Sequence, residues 1–362
     1  MPKVEIFFNC LVNFFNDFCT CPNAPFCVAL QQIYIALRKY IRLQIIALVV
    51  GIGLMALKFL AWWLTNSNAI LTDALESIIN VVAGSFALYS LYLAAKPKDE
   101  NHPYGHGKIE FLSAGFEGAM IFLAGITILG KAGYNIFNPQ ELHQIDLGLL
   151  LTLITGSINF LMGKVLEKQG RKANSMTLIA SGKHLQSDAY SSLGLLLGLA
   201  VLYFTGLTLL DNLVAGIFGL FILITGFRLV RNSVAGIMDE ADHLLVDNIV
   251  QMLEEKRPDN WIDVHNFRVI KYGATLHIDC HLTLPWYYDT RQSHSEVKAF
   301  ENLVKAHCKS PVELFIHVDP CEPVSCHLCL KKDCPQRQHP HEQRITWTYT
   351  NIMRDLNHSV IC

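Results

Sequence analysis

Apolar and polar positions along this chain fall into two regimes. Up to about residue 230 the apolar positions run together in blocks long enough to cross about 30 Å of hydrocarbon, which takes roughly 20 helical residues. Six such blocks cover residues 41–64, 69–94, 112–137, 147–166, 176–204 and 209–228, and each predicts a transmembrane helix. After residue 239 shorter periodic patterns take over. Helical spacing covers 244–256 and 293–307, and strand-like alternation covers 264–270, 275–284 and 312–318. This αββαβ order predicts a small two-layer α+β domain.

The expected fold class is an α-helical membrane protein, a six-transmembrane-helix bundle followed by an α+β domain. The expected domains are residues 1–39, an N-terminal extension; 40–237, the six-helix domain; 238–320, the αββαβ domain; and 321–362, a tail rich in Cys and His. Residues 1–35 are apolar but broken by Asn and Asp, with Lys3 as the only early basic residue, which fits a cleaved signal peptide poorly. They read as an interfacial amphipathic helix or an irregular extension.

Composition supports a chain divided between lipid and water. Of 362 residues 51% are hydrophobic and only 17% are charged, against about a quarter charged in an average soluble domain. A mean hydropathy of +0.30 is nevertheless too low for a chain buried throughout in lipid. The net charge of −2 supplies no overall basic field, so no nucleic-acid partner is expected. All eleven cysteines lie before residue 28 or after residue 279, an odd number that reads as thiols in a reducing compartment rather than a disulfide framework.

Loop charge sets the expected orientation. Arg38, Lys39 and Arg42 precede the first span; Lys96, Lys98 and Lys108 lie between the second and third; Lys168, Arg171 and Lys172 lie between the fourth and fifth; Arg228 and Arg231 close the sixth. The connectors around Asn66, Pro139 and Thr205 hold no Lys or Arg, so both termini are expected in the cytoplasm. No phosphate loop, nucleophile elbow or catalytic-triad spacing emerges, so no enzyme is expected.

Ionisable and amide groups inside hydrocarbon are costly, and these direct the search for function. The second span holds Asp73, Glu76 and Asn80, and the fifth holds His184 and Asp188. Glu76 and Asn80 are four residues apart, as are His184 and Asp188, so each pair shares one helix face. Two such faces would offer carboxylate, amide and imidazole donors to one small divalent cation, with Asp73 as an alternative to Asn80. The bland alternative is hydrogen bonding between helices.

The run Asn68-Ala-Ile-Leu-Thr-Asp73-Ala-Leu-Glu76-Ser-Ile-Ile-Asn80, with His184-Leu-Gln-Ser-Asp188, resembles the second and fifth helices of the cation diffusion facilitators, the divalent-metal/proton antiporters. The loop His102-Pro-Tyr-Gly-His106-Gly-Lys108-Ile-Glu110, the exit Gly236-Ile-Met-Asp239-Glu-Ala and the closing Ile316-His317-Val318-Asp319-Pro320 extend the likeness over residues 40–321. The resemblance implies a homodimeric exporter that moves Zn2+ out of the cytoplasm by alternating access, with protons as counter-ion. It also implies a metallochaperone-like (ferredoxin-like) cytoplasmic domain. Imidazole exchanges protons near ambient pH, which makes such coupling usable. The second-helix pair is commonly Asp or His followed by Asp; here it is Glu76 and Asn80, which leaves iron(II), cobalt, nickel or manganese as alternative substrates.

The same resemblance implies a cytosolic metal site from His265, His281, His294, His317 and Asp319, and a loop site from Asp99, His102 and His106. It further implies a hinge ion pair between Lys108 and Asp239. Beyond its reach, Cys321, Cys326, Cys329 and Cys334 precede His339 with spacing like a zinc knuckle, or form a redox-sensitive or disordered tail. The connector between spans four and five has no histidine run, which favours a bacterial inner-membrane exporter. An anchored metal sensor or buffer without ion flux is the alternative of another class.

Overall fold

The computed structural model describes residues 25–65, 68–137, 146–205, 208–308 and 310–358. Two compact units share the chain, one ending at Ala95 and one starting at Lys96, and each is described by itself.

The first unit holds α1 (Pro25–Thr65) and α2 (Asn68–Ala94), packed together with the Gln44 side-chain amide donating to the Gly84 carbonyl at 3.4 Å. Of the expected extension, residues 1–24 lie outside the described residues, and from Pro25 the backbone is helical. Proline suits the first helical position because its fixed φ is preset for the helix and its missing N–H would have no intrahelical partner there.

The second unit contributes α3 (Ile109–Phe137), α4 (Asp146–Ala173), α5 (Met176–Thr205) and α6 (Thr208–Ile237). Small residues bring these helices into close contact. A Cβ at Gly226 of α6 would sit 2.4 Å from the Phe122 nitrogen of α3, and one at Gly163 of α4 would sit 2.7 Å from the Gly182 carbonyl oxygen of α5. Such approach gains dispersion energy where lipid tails leave little hydrophobic drive between helices. Among the described residues four windows are long and apolar enough to cross a membrane: Lys39–Leu60, Ser77–Ala94, Ile109–Phe137 and Asn212–Ile237. The other two long helices carry more charge, α4 through Lys164, Glu167 and Lys168 and α5 through Lys183 and Asp188. Val49, Trp63, Leu161, Ile217 and Phe227 are each more than half exposed, an apolar surface suited to hydrocarbon rather than water.

Beyond α6 the αββαβ order appears as α7 (His243–Lys256), β1 (Asp263–Tyr272), β2 (Thr275–Leu284), α8 (Thr290–His307) and β3 (Val312–Pro320). The sheet order is β1-β2-β3, with β1 and β2 antiparallel and β2 and β3 parallel. A parallel pair needs a crossover, and α8 supplies it. Asp242 caps α7 by accepting from the Leu245 N–H, and Asp289 with Gln292 forms a capping box that starts α8 three residues earlier than its apolar spacing indicates. Ile249 and Leu253 of α7, Phe300 and Val304 of α8, and Phe267, Ile278 and Leu282 of the sheet are buried in one core.

The tail beyond residue 320 is part of this domain. Trp347 and Ile352 enter the same core, and Glu254 of α7 accepts from Arg344 at 2.7 Å and from the Trp347 N–H at 3.1 Å. The tail thus packs on the core, and the reading of a disordered tail does not hold for residues 321–358.

The connector 96–108 docks on the open end of the sheet. Lys98 pairs with Glu313 at 2.6 Å, Tyr104 stacks on Tyr272, and Gly107 lies so close to the β1–β2 turn that a Cβ there would meet the Tyr272 carbonyl carbon at 2.4 Å. Gly273 in that turn has φ +59, a conformation open to glycine. Lys108 meets Asp239 at 2.8 Å, so the pair expected at the membrane exit is formed.

Candidate functional site

The polar residues expected within the spans occur in both units. On α2, Glu76 and Asn80 stand one turn apart; Asn80 is half-buried, and the side chains of Asp73 and Glu76 lie outside the described ones. On α5, His184 is buried and Asp188, one turn on, is half-buried. The rotation of α5 is set by its neighbours. Ser181 donates to Glu117 of α3 at 2.7 Å, while Gln186 and Lys183 reach Glu167 of α4 at 2.8 and 3.2 Å. Ser191 and Ser192 hydroxyls return to the Asp188 carbonyl at 2.9 and 3.0 Å. Glu110, quoted above for its loop motif, is buried at the α5 N-terminus, where its carboxylate accepts from the Ser175 hydroxyl and, at 3.3 Å, from the Thr177 N–H. A carboxylate there complements the helix dipole.

Among the described residues two clusters place three donor atoms within 4.8 Å of one another: Asp99, His102 and His106, and His265, His281 and Asp319. Zinc bonds to N and O of about 2.0–2.2 Å put neighbouring donors of a tetrahedral shell about 3.3–3.6 Å apart, so donors within 4.8 Å lie near the spacing such an ion requires.

In the loop cluster, Asp99 Oδ1 lies 3.0 Å from His102 Nδ1 and Oδ2 lies 3.3 Å from His106 Nε2. Partial desolvation pushes the Asp99 carboxyl up, but hydrogen bonds from the His102 ring and backbone outweigh it and hold the group below the usual carboxylate range.

The strand cluster follows from register. His265 of β1 pairs with His281 of β2, and His281 pairs with His317 of β3, so three histidines form one row across the sheet. Adjacent ring centroids are 5.0 and 4.7 Å apart. Asp319, two residues beyond His317 on the same strand face, comes within 2.9 Å of His281 Nδ1, 3.5 Å of His265 Nε2 and 3.2 Å of His317 Nε2. His294 is exposed on α8 and is not part of this group.

Two residues that the sequence analysis did not single out stand behind His265. Asp263 Oδ2 lies 3.3 Å from His265 Nδ1, and Oδ1 lies 2.5 Å from Nδ1 of His358, whose backbone N–H also donates to Asp263 at 3.1 Å. Burial pushes the Asp263 carboxyl up, but the two imidazoles beside it, His265 and the hydrogen-bonded His358, win and hold it at about 2. It therefore stays ionised beside the His265 ring, at the place a supporting carboxylate takes behind a ligand histidine. Only the i, i+2 spacing of Asp263 and His265 on a strand hinted at this. Asp263→Asn and His358→Ala are each expected to weaken zinc binding at the strand cluster by about 10- to 100-fold. Titration calorimetry on variants lacking the loop ligands would read this, and unchanged affinity would remove Asp263 from the site.

In the tail, Cys321, Cys326, Cys329 and Cys334 line one cavity of about 30 Å³. His339 is not with them; it stacks on His327 with centroids 5.0 Å apart.

The chain matches the family model for the cation efflux transmembrane domain over residues 44–238 and that for the cation efflux protein, cytoplasmic domain, over residues 241–321. It is 30% identical to an uncharacterised transporter of Synechocystis over 81% of this chain and 91% of the relative. It is 29% identical to metal tolerance protein C1 of Arabidopsis thaliana, over 76% of this chain and 61% of that protein. With the cation-efflux pump FieF of Pectobacterium atrosepticum identity is 26%, over 79% of this chain and 95% of the pump.

Proposed function

The chain belongs to the cation efflux family, the cation diffusion facilitators, and on that premise we propose that it is a homodimeric zinc/proton antiporter exporting metal from the cytoplasm. The family is one of integral membrane transporters rather than enzymes. The observation that carries the substrate reading is the pairing of Glu76 with Asn80 on α2 and of His184 with Asp188 on α5, two one-turn pairs inside the matched transmembrane domain. The names cation-efflux pump and metal tolerance protein agree with export.

Imidazole and carboxylates bind a divalent ion in their deprotonated forms, so loading the four donors releases protons and protonating them releases metal. Neutral His184 with ionised Glu76 and Asp188 leaves two negative charges, which balance one divalent ion. Exposing that set alternately to each side of the membrane completes the exchange. In this reading all six long helices span, the polar residues of α4 and α5 facing protein or water, and both termini are cytoplasmic in a bacterial inner membrane. Docking of the 96–108 connector on the cytoplasmic domain agrees with that orientation, since both then lie on one side.

A pH gradient is expected to drive zinc uptake into proteoliposomes, and a sealed bilayer that passes no metal would leave only sensing or buffering. Asn80→Asp adds a carboxylate to a site whose amide is the weaker oxygen ligand. It is expected to raise the potency of Mn²⁺ and Fe²⁺ as competitors of Zn²⁺ by about tenfold. Identical competition curves in the two proteins would show that position 80 does not set selectivity.

A further inference from the structure

We infer that Cys321, Cys326, Cys329 and Cys334 form a structural zinc site, separate from the transport pathway and from both His/Asp clusters. The four thiols come from fourteen residues that follow β3, all are free, and they surround one cavity at the end of β2, beside Trp286. The segment is held in shape by backbone and guanidinium contacts. The Cys321 N–H donates to the Leu284 carbonyl at 2.8 Å, which prolongs the line of the sheet, and the Cys329 N–H reaches the Cys326 carbonyl at 3.4 Å in a tight turn. Arg337, which lines the same cavity, closes the fold by donating to the carbonyls of Cys326, Cys329 and Lys331 at 3.0, 3.1 and 2.7 Å. That ties the carbonyls of a loop with little secondary structure of its own to one cation and fixes the course of the chain around the thiols.

Four soft sulfur donors select zinc over magnesium, calcium or manganese, and a closed four-thiolate shell leaves no open position for transport or catalysis. Zn–S bonds of about 2.3 Å place sulfurs about 3.8 Å apart. The cavity is looser than that, since the thiols are not among the groups whose donors lie within 4.8 Å, so metal binding draws them inward. The consequence is structural. The knuckle sets the course of the chain between β3 and the segment that packs Trp347 and Ile352 into the core and brings His358 to Asp263.

The test uses the full-length protein in detergent. Cobalt(II) reports ligand identity without reference to transport, because sulfur ligation adds an intense thiolate-to-metal charge-transfer band that His and Asp ligands do not give. The expected result is that band in the wild-type protein, its loss in Cys326→Ser/Cys329→Ser, its retention in Cys308→Ser, and one zinc fewer per chain in the double variant. Alkylation mapped by mass spectrometry on the unaltered protein is expected to show these four cysteines protected by zinc and released by chelator. Absence of the band, its survival in the double variant, or equal alkylation with and without zinc would overturn the assignment.

Discussion

Proteoliposomes containing His184→Ala/Asp188→Ala are expected to take up no more zinc than protein-free liposomes under an inward-driving pH gradient. In the proposed transport site the double change leaves Glu76 and Asn80, a single carboxylate and a neutral amide, to hold a divalent ion that has been stripped of water. That removes one of two negative charges and the one nitrogen donor. Loss of a single supporting group around a metal ligand already costs about 10- to 100-fold in affinity, so loss of two direct ligands takes transport below detection. Folding is not expected to confound the result. Alanine is the strongest helix former, α5 already packs through Ala180, Gly182 and Ala189, and its anchors Ser181, Lys183 and Gln186 are untouched. Equal proteoliposome incorporation and helical content, checked by gel and circular dichroism, accompany the measurement. Undiminished flux would mean that metal crosses elsewhere.

Trp347→Ala is expected to destabilise the cytoplasmic domain by about 3–5 kcal/mol, although Trp347 lies outside both segments that match the family. The indole is 3% exposed within the α7, sheet and α8 core, the Arg257 guanidinium sits 4.2 Å above its ring, and its backbone N–H donates to Glu254. Truncation would leave a cavity the size of an indole and a mostly buried guanidinium without its aromatic face. Amide exchange in β1 and β2 reads the effect: at about 1.4 kcal/mol per factor of ten, protection is expected to fall by about two to three and a half orders of magnitude. Unchanged protection would show that the tail rests on a domain that is stable without it.

Much of the architecture could be read from the residues because the relevant signals are local. A run of about 20 apolar residues has few options in lipid but a helix, and the alternating apolar residues of β2, from Leu276 to Leu284, are all buried. Helix starts were less legible where a cap or a proline outranked the apolar pattern, as at Pro25 and Asp289. The one-turn pairs at 76/80 and 184/188 were visible because helical geometry alone puts i and i+4 on one face. The placement of His294 was not legible: it lies on an exposed helix face, apart from the row His265, His281 and His317 within one chain.

By itself the sequence determined a chain divided between lipid and water, the order of its helices and strands, and the residue types able to hold a divalent metal. Those properties depend on neighbours within a few positions. Tertiary structure alone decided that strand register lines up three histidines and brings Asp319 to them, and that Asp263 and His358, 95 residues apart, clasp behind His265. It also decided that four tail thiols share one cavity while His339 turns to His327. Each of these joins residues whose distance is set by how sheets pair and loops close over the whole domain, which no local period or spacing encodes.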